Sequence, residues 1–304
     1  MSIPERIQRL KKERDAVILA HNYQRPEIQD IADIVGDSLE LALSAKEATA
    51  AVIVLCGVDF MAETAKILNP GKTVLLPVKD ATCPMAHQLT PDMIREARAA
   101  NPNASVVLYV NSTAESKALA DIVCTSANAV MVVRSLETRE VLFGPDCNLA
   151  AYVQNLVPEK EIIPLPRGGN CYVHEAFTLH DLEEARKRGG KIICHPECRP
   201  EIQKGADVIA STGGMVTAAP DAEAWNVLTE REMGYRLKTL FPEKTFHIKE
   251  EAICDDMKKI TLQDLCRSLE TMRYEITLDP EVASRARIAI DRMIAVGRPR
   301  HDRS

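Results

Sequence analysis

The sequence predicts an α/β protein of three homologous αβα-layer domains, each built on a parallel sheet, in a pseudo-threefold arrangement about one central site. Three observations lead there. Cys83, Cys171 and Cys254 recur at intervals of 88 and 83 residues. Each is followed seven positions later by a threonine suited to cap a helix (Thr90, Thr178, Thr261) and preceded 12 or 13 positions back by a proline closing an amphipathic run (Pro70, Pro158, Pro242). The stretches 19–38, 108–126 and 194–212 align as well, pairing His21, Tyr109 and His195, and Ser38, Ser126 and Thr212, at shifts of 88 and 86. Short apolar runs of strand length alternate with helical segments of about ten residues, the pattern of parallel βα units. The period is too long for a solenoid, so each copy is read as a small domain.

Taken in order, residues 4–14 read as a helix with Ile7 and Leu10 on its apolar side, and AVILAH (16–21) as a buried strand. Residues 27–34 form a helix on Ile28, Ile31, Ala32 and Ile34, and Gly36-Asp37-Ser38 punctuates before a Leu- and Ala-rich helix over 39–49. AVIVLC (51–56) is the second strand, 59–68 a helix ended by Asn69-Pro70-Gly71, and TVLLPV (73–78) a third strand leading to Cys83. The second copy reads as helices 91–100, 114–122 and 147–156 with strands 105–110, 129–133 and 161–165. The third reads as helices 181–188, 200–204 and 230–240 with strands 191–195, 207–211, 225–229 and 245–248. Helices 262–272 and 280–296 follow. The domains expected are 1–86, 87–174 and 175–257, with a C-terminal helical tail over 258–304 and no low-complexity linker between copies.

At 304 residues and 46% hydrophobic the chain has ample surface to bury, and the repeat outranks the two domains that length alone suggests. The net charge of −6, with acids and bases mixed throughout, argues against a nucleic-acid groove or an affinity for anionic membranes. An anionic substrate therefore needs local donors. The N-terminal MSIPERIQRLKKERD has no apolar h-region, and no run of about 18 apolar residues occurs, so the expected location is the cytoplasm. Nine cysteines, an odd number without close CxxC pairs, suit reduced thiols and metal ligands better than a disulfide framework.

In open parallel sheets ligands gather beyond the carboxyl ends of the strands, where the repeated polar residues fall. Three thiolates from three domains can bind zinc or an iron-sulfur cluster. Structural zinc usually takes four closely spaced ligands. A 4Fe-4S cube on three cysteines leaves one iron open, a Lewis acid toward a hydroxyl or carbonyl. Composition alone equally allows three buried cysteines repeated by descent, and it is as buried small apolar residues that Cys56, Cys124, Cys147, Cys194, Cys198 and Cys266 are read. His21-Asn22-Tyr23 carries an imidazole and a phenol, and His195-Pro196-Glu197 an imidazole and a carboxylate, groups suited to acid-base work. Tyr109-Val110-Asn111 suits hydrogen bonding, partly through its backbone. Ser38, Ser126 and Ser211-Thr212 offer hydroxyls beside N–H groups, either for phosphate or carboxylate or as ordinary helix caps. His174 either faces the site or caps the helix that follows.

HNYQ (21–24), GDS (36–38), YVNS (109–112), HPEC (195–198), STGGM (211–215), LTE (228–230) and CDDMKKITL (254–262) together resemble the signatures of the quinolinate synthase (NadA) family, over nearly the whole chain. The resemblance implies a 4Fe-4S cluster ligated by Cys83, Cys171 and Cys254. It implies condensation of iminoaspartate with dihydroxyacetone phosphate, with loss of phosphate and two waters, to form quinolinate for NAD biosynthesis. It also implies a substrate site lined by His21, Ser38, Tyr109, Val110, Asn111, Ser126, His195, Pro196, Glu197 and Thr212, to which Ser211 and His174 are added here. Tyr23 and Glu197 are assigned proton transfer, with His21 and His195 next. Some members carry CxxCxxC at the third cysteine, whereas Cys254 is followed by Asp255-Asp256-Met257, which leaves the ligand without neighbouring thiols. A reductive iron-sulfur dehydroxylase of threefold architecture and a non-enzymatic cluster carrier are the competing readings. The expected partners are the two small substrates, with transient contact to the enzyme that makes iminoaspartate.

Overall fold

A computed structural model describes residues 2–297, and in it each repeat is a four-stranded parallel sheet. In the first repeat the strands are β1 (Ala16–His21), β2 (Ile34–Gly36), β3 (Val52–Cys56) and β4 (Thr73–Leu75), in the order β2-β1-β3-β4. The second has β5 (Ser105–Tyr109), β6 (Ile122–Cys124), β7 (Glu140–Gly144) and β8 (Glu161–Pro164), and the third β9 (Lys191–Cys194), β10 (Val208–Ile209), β11 (Ala224–Leu228) and β12 (Thr245–Ile248). Both follow the same order as the first, and all pairings within the sheets are parallel. The central strand VIVLC of β3 is buried along its whole length, as a strand covered by helices on both faces must be.

The repeat shows in polar contacts as well as in strands. Asp33, Asp121 and Asp207 each turn a carboxylate oxygen onto the backbone N–H of Ile18, Val106 and Ile192, at 2.9, 2.7 and 2.7 Å. Thr90, Thr178 and Thr261 are all helix N-caps, accepting from the N–H groups of Met93, Asp181 and Asp264.

The sequence reading departs from this fold at identifiable places. Residues 129–133, read as a strand, lie in the helix Ala129–Arg134. Its buried Ala129, Val132 and Val133 fall at helical spacing, so tertiary packing overrides the β propensity of valine. The strands missed are β2, β6 and β7, of which the first two are three residues long and give periodicity little to register. The helix Thr212–Ala218 was missed too, because Gly213 and Gly214 disguise it. The helices expected over 27–34 and 114–122 end earlier, at Ile31 and Lys117, where the chain turns into β2 and β6.

The first helix, Ile3–Glu13, packs against Leu262–Thr271. The last, Pro280–Val296, packs over β6 and the helices Ala114–Lys117 and Asp59–Leu68, so it joins the first two repeats. Residues 298–304 of the expected tail lie outside the described residues. No described helix is long and apolar enough to cross a membrane.

The packing of the last helix is testable. Ile290 is fully buried and Ile288 is 55% exposed. Ile290→Ala is expected to cost about 2–5 kcal/mol in chemical denaturation and Ile288→Ala under about 0.5 kcal/mol. Equal effects would show that the helix does not dock as described.

Candidate active site

Beyond the carboxyl ends of the strands the three repeats line one shared pocket. Into it come Cys83, Cys171 and Cys254, both matched sets (His21, Tyr109, His195; Ser38, Ser126, Thr212), and Tyr23, Asn111, His174 and Glu197. Three sequence candidates lie elsewhere. Val110 lines a small adjoining cavity, while Pro196 and Ser211 line a separate groove. Ser211 caps the helix Thr212–Ala218 and also meets Asp37 at 3.3 Å.

Each strand-end loop is gripped by one buried side chain at a matched position. Gln29 donates to the carbonyls of Asn22 and Gln24 at 3.0 and 2.8 Å, and Gln203 to those of Pro196 and Cys198 at 2.8 and 2.7 Å. In the second repeat Lys117 does the same to Ser112. These bonds hold three short loops so that the imidazoles and the phenol project inward. Thr212 is oriented from the first repeat, through the Asn22 amide at 2.9 Å. The Asn111 side-chain oxygen is buried at the pocket wall with no partner among the described residues, an acceptor left to a ligand.

His21 and His195 behave alike. The Nδ1 of each accepts a backbone N–H two residues on, from Tyr23 at 3.2 Å and Glu197 at 3.3 Å. Burial pulls both imidazoles down to about 3, so each is neutral with its proton on Nε2. They are hydrogen-bond donors rather than ready acids.

Glu197 is 3% exposed and receives the Tyr109 hydroxyl at 2.6 Å and His174 Nδ1 at 2.9 Å. Burial opposes its charge, but His195, His174 and these two hydrogen bonds prevail and hold the carboxyl at about 2. With Nδ1–H given to Glu197, His174 Nε2 accepts from Thr229 at 2.8 Å, and the Thr229 oxygen accepts the Tyr23 hydroxyl at 2.6 Å. Tyr23, Thr229, His174 and Glu197 thus form one directed chain across all three repeats. Burial, then the charge of Glu197, raises Tyr23 well above the usual phenol range.

The three cysteines are part-buried, and burial pushes every thiol up. At Cys83 and Cys171 the neighbouring cysteines add to it. Among the described residues the three sulfurs do not form a set of ligand atoms within 4.8 Å of one another; Cys171, His174 and Glu197 do, but the last two are already bonded to each other. Sequence reasoning missed Thr229, although it lies directly past β11, where a strand-end rule finds it.

Fold and pocket define a class: a three-repeat α/β protein with one thiol-lined polar site shared by all its repeats. The profile described as Quinolinate synthetase A protein matches residues 5–295. The chain is 57% identical to the quinolinate synthase of Pyrococcus furiosus, over 96% of this chain and 97% of that one. It is 56% identical to that of Pyrococcus horikoshii (98% and 100%) and 47% to that of Thermotoga maritima (95% and 98%). The chain belongs to the quinolinate synthase family and is an enzyme.

If Thr229 bridges Tyr23 and His174, Thr229→Val should lower stability by about 1–3 kcal/mol, the cost of stranding buried polar groups, and Thr229→Ser should not. Identical denaturation midpoints for the two variants would exclude the bridge.

Proposed function

We propose that this enzyme condenses iminoaspartate with dihydroxyacetone phosphate to quinolinate, releasing phosphate and two waters, as a cytoplasmic step of NAD biosynthesis. The observation that carries the reading is the convergence of three repeat-matched thiols with neutral imidazoles, hydroxyls and the ionised Glu197 in a single pocket.

The donor set fits a 4Fe-4S cluster on Cys83, Cys171 and Cys254. Three crowded, buried thiols are costly as thiolates unless a cationic group lies among them. The three thiols come from loops 88 and 83 residues apart and lack the fourth, closely spaced ligand that structural zinc usually takes. A cluster held by three thiolates supplies an open iron, a Lewis acid that assists loss of a hydroxyl as water.

The remaining roles belong to the chain. The substrates are anions, and Nε2–H of His21 and His195 with the hydroxyls of Ser38, Ser126 and Thr212 provide donors for their carboxylate and phosphate groups. Ser38 and Thr212 each stand at a helix start, which sets their hydroxyls at the pocket wall. Asn111 offers its free amide oxygen to a substrate hydroxyl or imine N–H. Proton transfer falls to Tyr23 and Glu197. As the Tyr23 oxygen takes a proton from substrate, its own proton can pass to Thr229 and that of Thr229 to His174, whose cation Glu197 then stabilises, the same logic by which a carboxylate orients and supports a catalytic imidazole. The convergence of acid-base groups favours an enzyme of this kind over a cluster carrier.

Anaerobic protein is expected to hold about four irons per chain. Alanine at Cys83, Cys171 or Cys254 should abolish that content, while Cys56→Ala and Cys266→Ala leave it intact; full occupancy without any of the first three removes the cluster assignment. Glu197→Gln with a full complement of iron should form quinolinate about 100-fold more slowly or worse, the scale of a lost general acid or base. A near wild-type rate would pass proton transfer to other groups.

A further inference from the structure

The chemistry above leaves one repeated feature unused: every cysteine turn is tied to a carboxylate. The Cys83 N–H donates to Asp59 Oδ1 at 3.0 Å and the Cys254 N–H to Glu230 Oε1 at 3.2 Å. In the second repeat Asp146 lies beside the Cys171 N–H. In each turn the cysteine carbonyl accepts the N–H four residues on, from His87, Glu175 and Lys258 at 3.4, 2.9 and 3.2 Å. So the three turns are built alike, with the cysteine's own N–H on the side of the acid and the cysteine lining the pocket.

The acids are not repeated by position. The N–H groups of Asp59, Cys147 and Arg231 donate to the carbonyls of Ala81, Gly169 and Ala252, each two residues before its cysteine, at 2.9, 2.8 and 2.8 Å. Those three residues are therefore equivalents, and only the first is an acid. In the second and third repeats the carboxylate comes from one residue earlier, where the first has Val58. Descent from a common copy does not put acids at two different positions that end on the same N–H; a shared physical demand does. Each acid also accepts an N–H at the start of the helix beside it, Asp59 from Phe60 at 2.9 Å, Asp146 from Leu149 at 2.6 Å and Glu230 from Glu232 at 2.9 Å, so it joins that helix start to the cysteine turn. The approach is close in the second repeat: a Cβ on Gly169 would collide with the Pro145 carbonyl oxygen.

We propose that Asp59, Asp146 and Glu230 are positioning residues for the three cysteine ligands, fixing each turn from the side of the cysteine N–H, and that the Asp59 carboxylate also makes the metal group more electron-rich. The inference rests on the cluster reading given above. A charge-assisted bond is stronger than a neutral one, so it holds a buried turn that a solvated N–H would leave loose. Acidic charge beside a thiolate disfavours reduction of the metal it binds, and hydrogen bonds and charge near the sulfurs are what set cluster potentials. Two of the three acids have a further side-chain partner. His87 Nε2 meets Asp59 at 2.6 Å and Lys258 Nζ meets Glu230 at 2.7 Å, while Asp146 Oδ2 is buried with no partner among the described residues.

The test uses anaerobically purified, iron-replete wild type, Asp59→Asn and Asp59→Glu. It reads the rate of iron loss to a chelator, the reduction potential of the bound iron, and the melting of the iron-free protein. Asp59→Asn should lose iron about 10–100-fold faster than wild type, at a more positive potential, and Asp59→Glu should recover most of both. Iron-free Asp59→Asn should melt near wild type. Chelation rate and potential unchanged in Asp59→Asn, or a change confined to melting, overturns the proposal. Glu230→Gln is read in the same way if Asp59→Asn does not fold, with the same outcomes deciding. A wild type without iron would instead overturn the cluster reading, so the two failures are distinct.

Discussion

An ionised carboxylate at the centre of three packed repeats is the constraint on which the rest of the structure depends. Removing such a charge from water costs several kcal/mol unless partners replace the water, and Glu197 finds them on every side. Tyr109 comes from the second repeat at the end of β5, and His174 from just past Cys171. Tyr23 of the first repeat reaches the same group through Thr229 of the third. The charge can be buried only if the three sheets close on one another, and closure brings the three cysteines into the same pocket. Packing and chemistry are here one requirement.

Much of this was legible in the chain. The cysteine spacing and the two aligned polar positions led to three parallel-sheet repeats and to a shared site, because residues that serve a common centre must keep their distance from the strand ends in every copy. Ten-residue helices such as 59–68, 91–100 and 147–156 were readable to the residue. The failures fell where local signal and repeat disagreed. AVMVV looked like a strand on its own, yet the shift of 88 that relates the first two copies carries β3 onto 140–144, where β7 lies. Applying the repeat strictly would have corrected the propensity.

The functional detail that escaped sequence reading is of another kind. Thr229, Gln29, Gln203 and Lys117 are ordinary polar residues whose roles arise only when loops distant in sequence come together. Glu230 and Lys258 form a buried pair beside Cys254, and Asp59 and Asp146 lie against the other two cysteine turns; Glu230 and Lys258 fall within the LTE and CDDMKKITL stretches, yet sequence alone assigns none of the four a role. Ser211 illustrates the converse, a residue that looked like part of an anion site and serves as a helix cap. The hydroxyl that reaches the pocket is its neighbour, Thr212.

The central claim is that three repeats jointly present a cluster whose unligated iron receives the substrate. Mössbauer spectroscopy of anaerobic, iron-enriched protein, recorded with and without quinolinate, tests it most directly. The account predicts about four irons per chain, one of which alone changes its signature when quinolinate is added. Irons that all respond alike, or that do not respond at all while quinolinate is shown to bind, would contradict it.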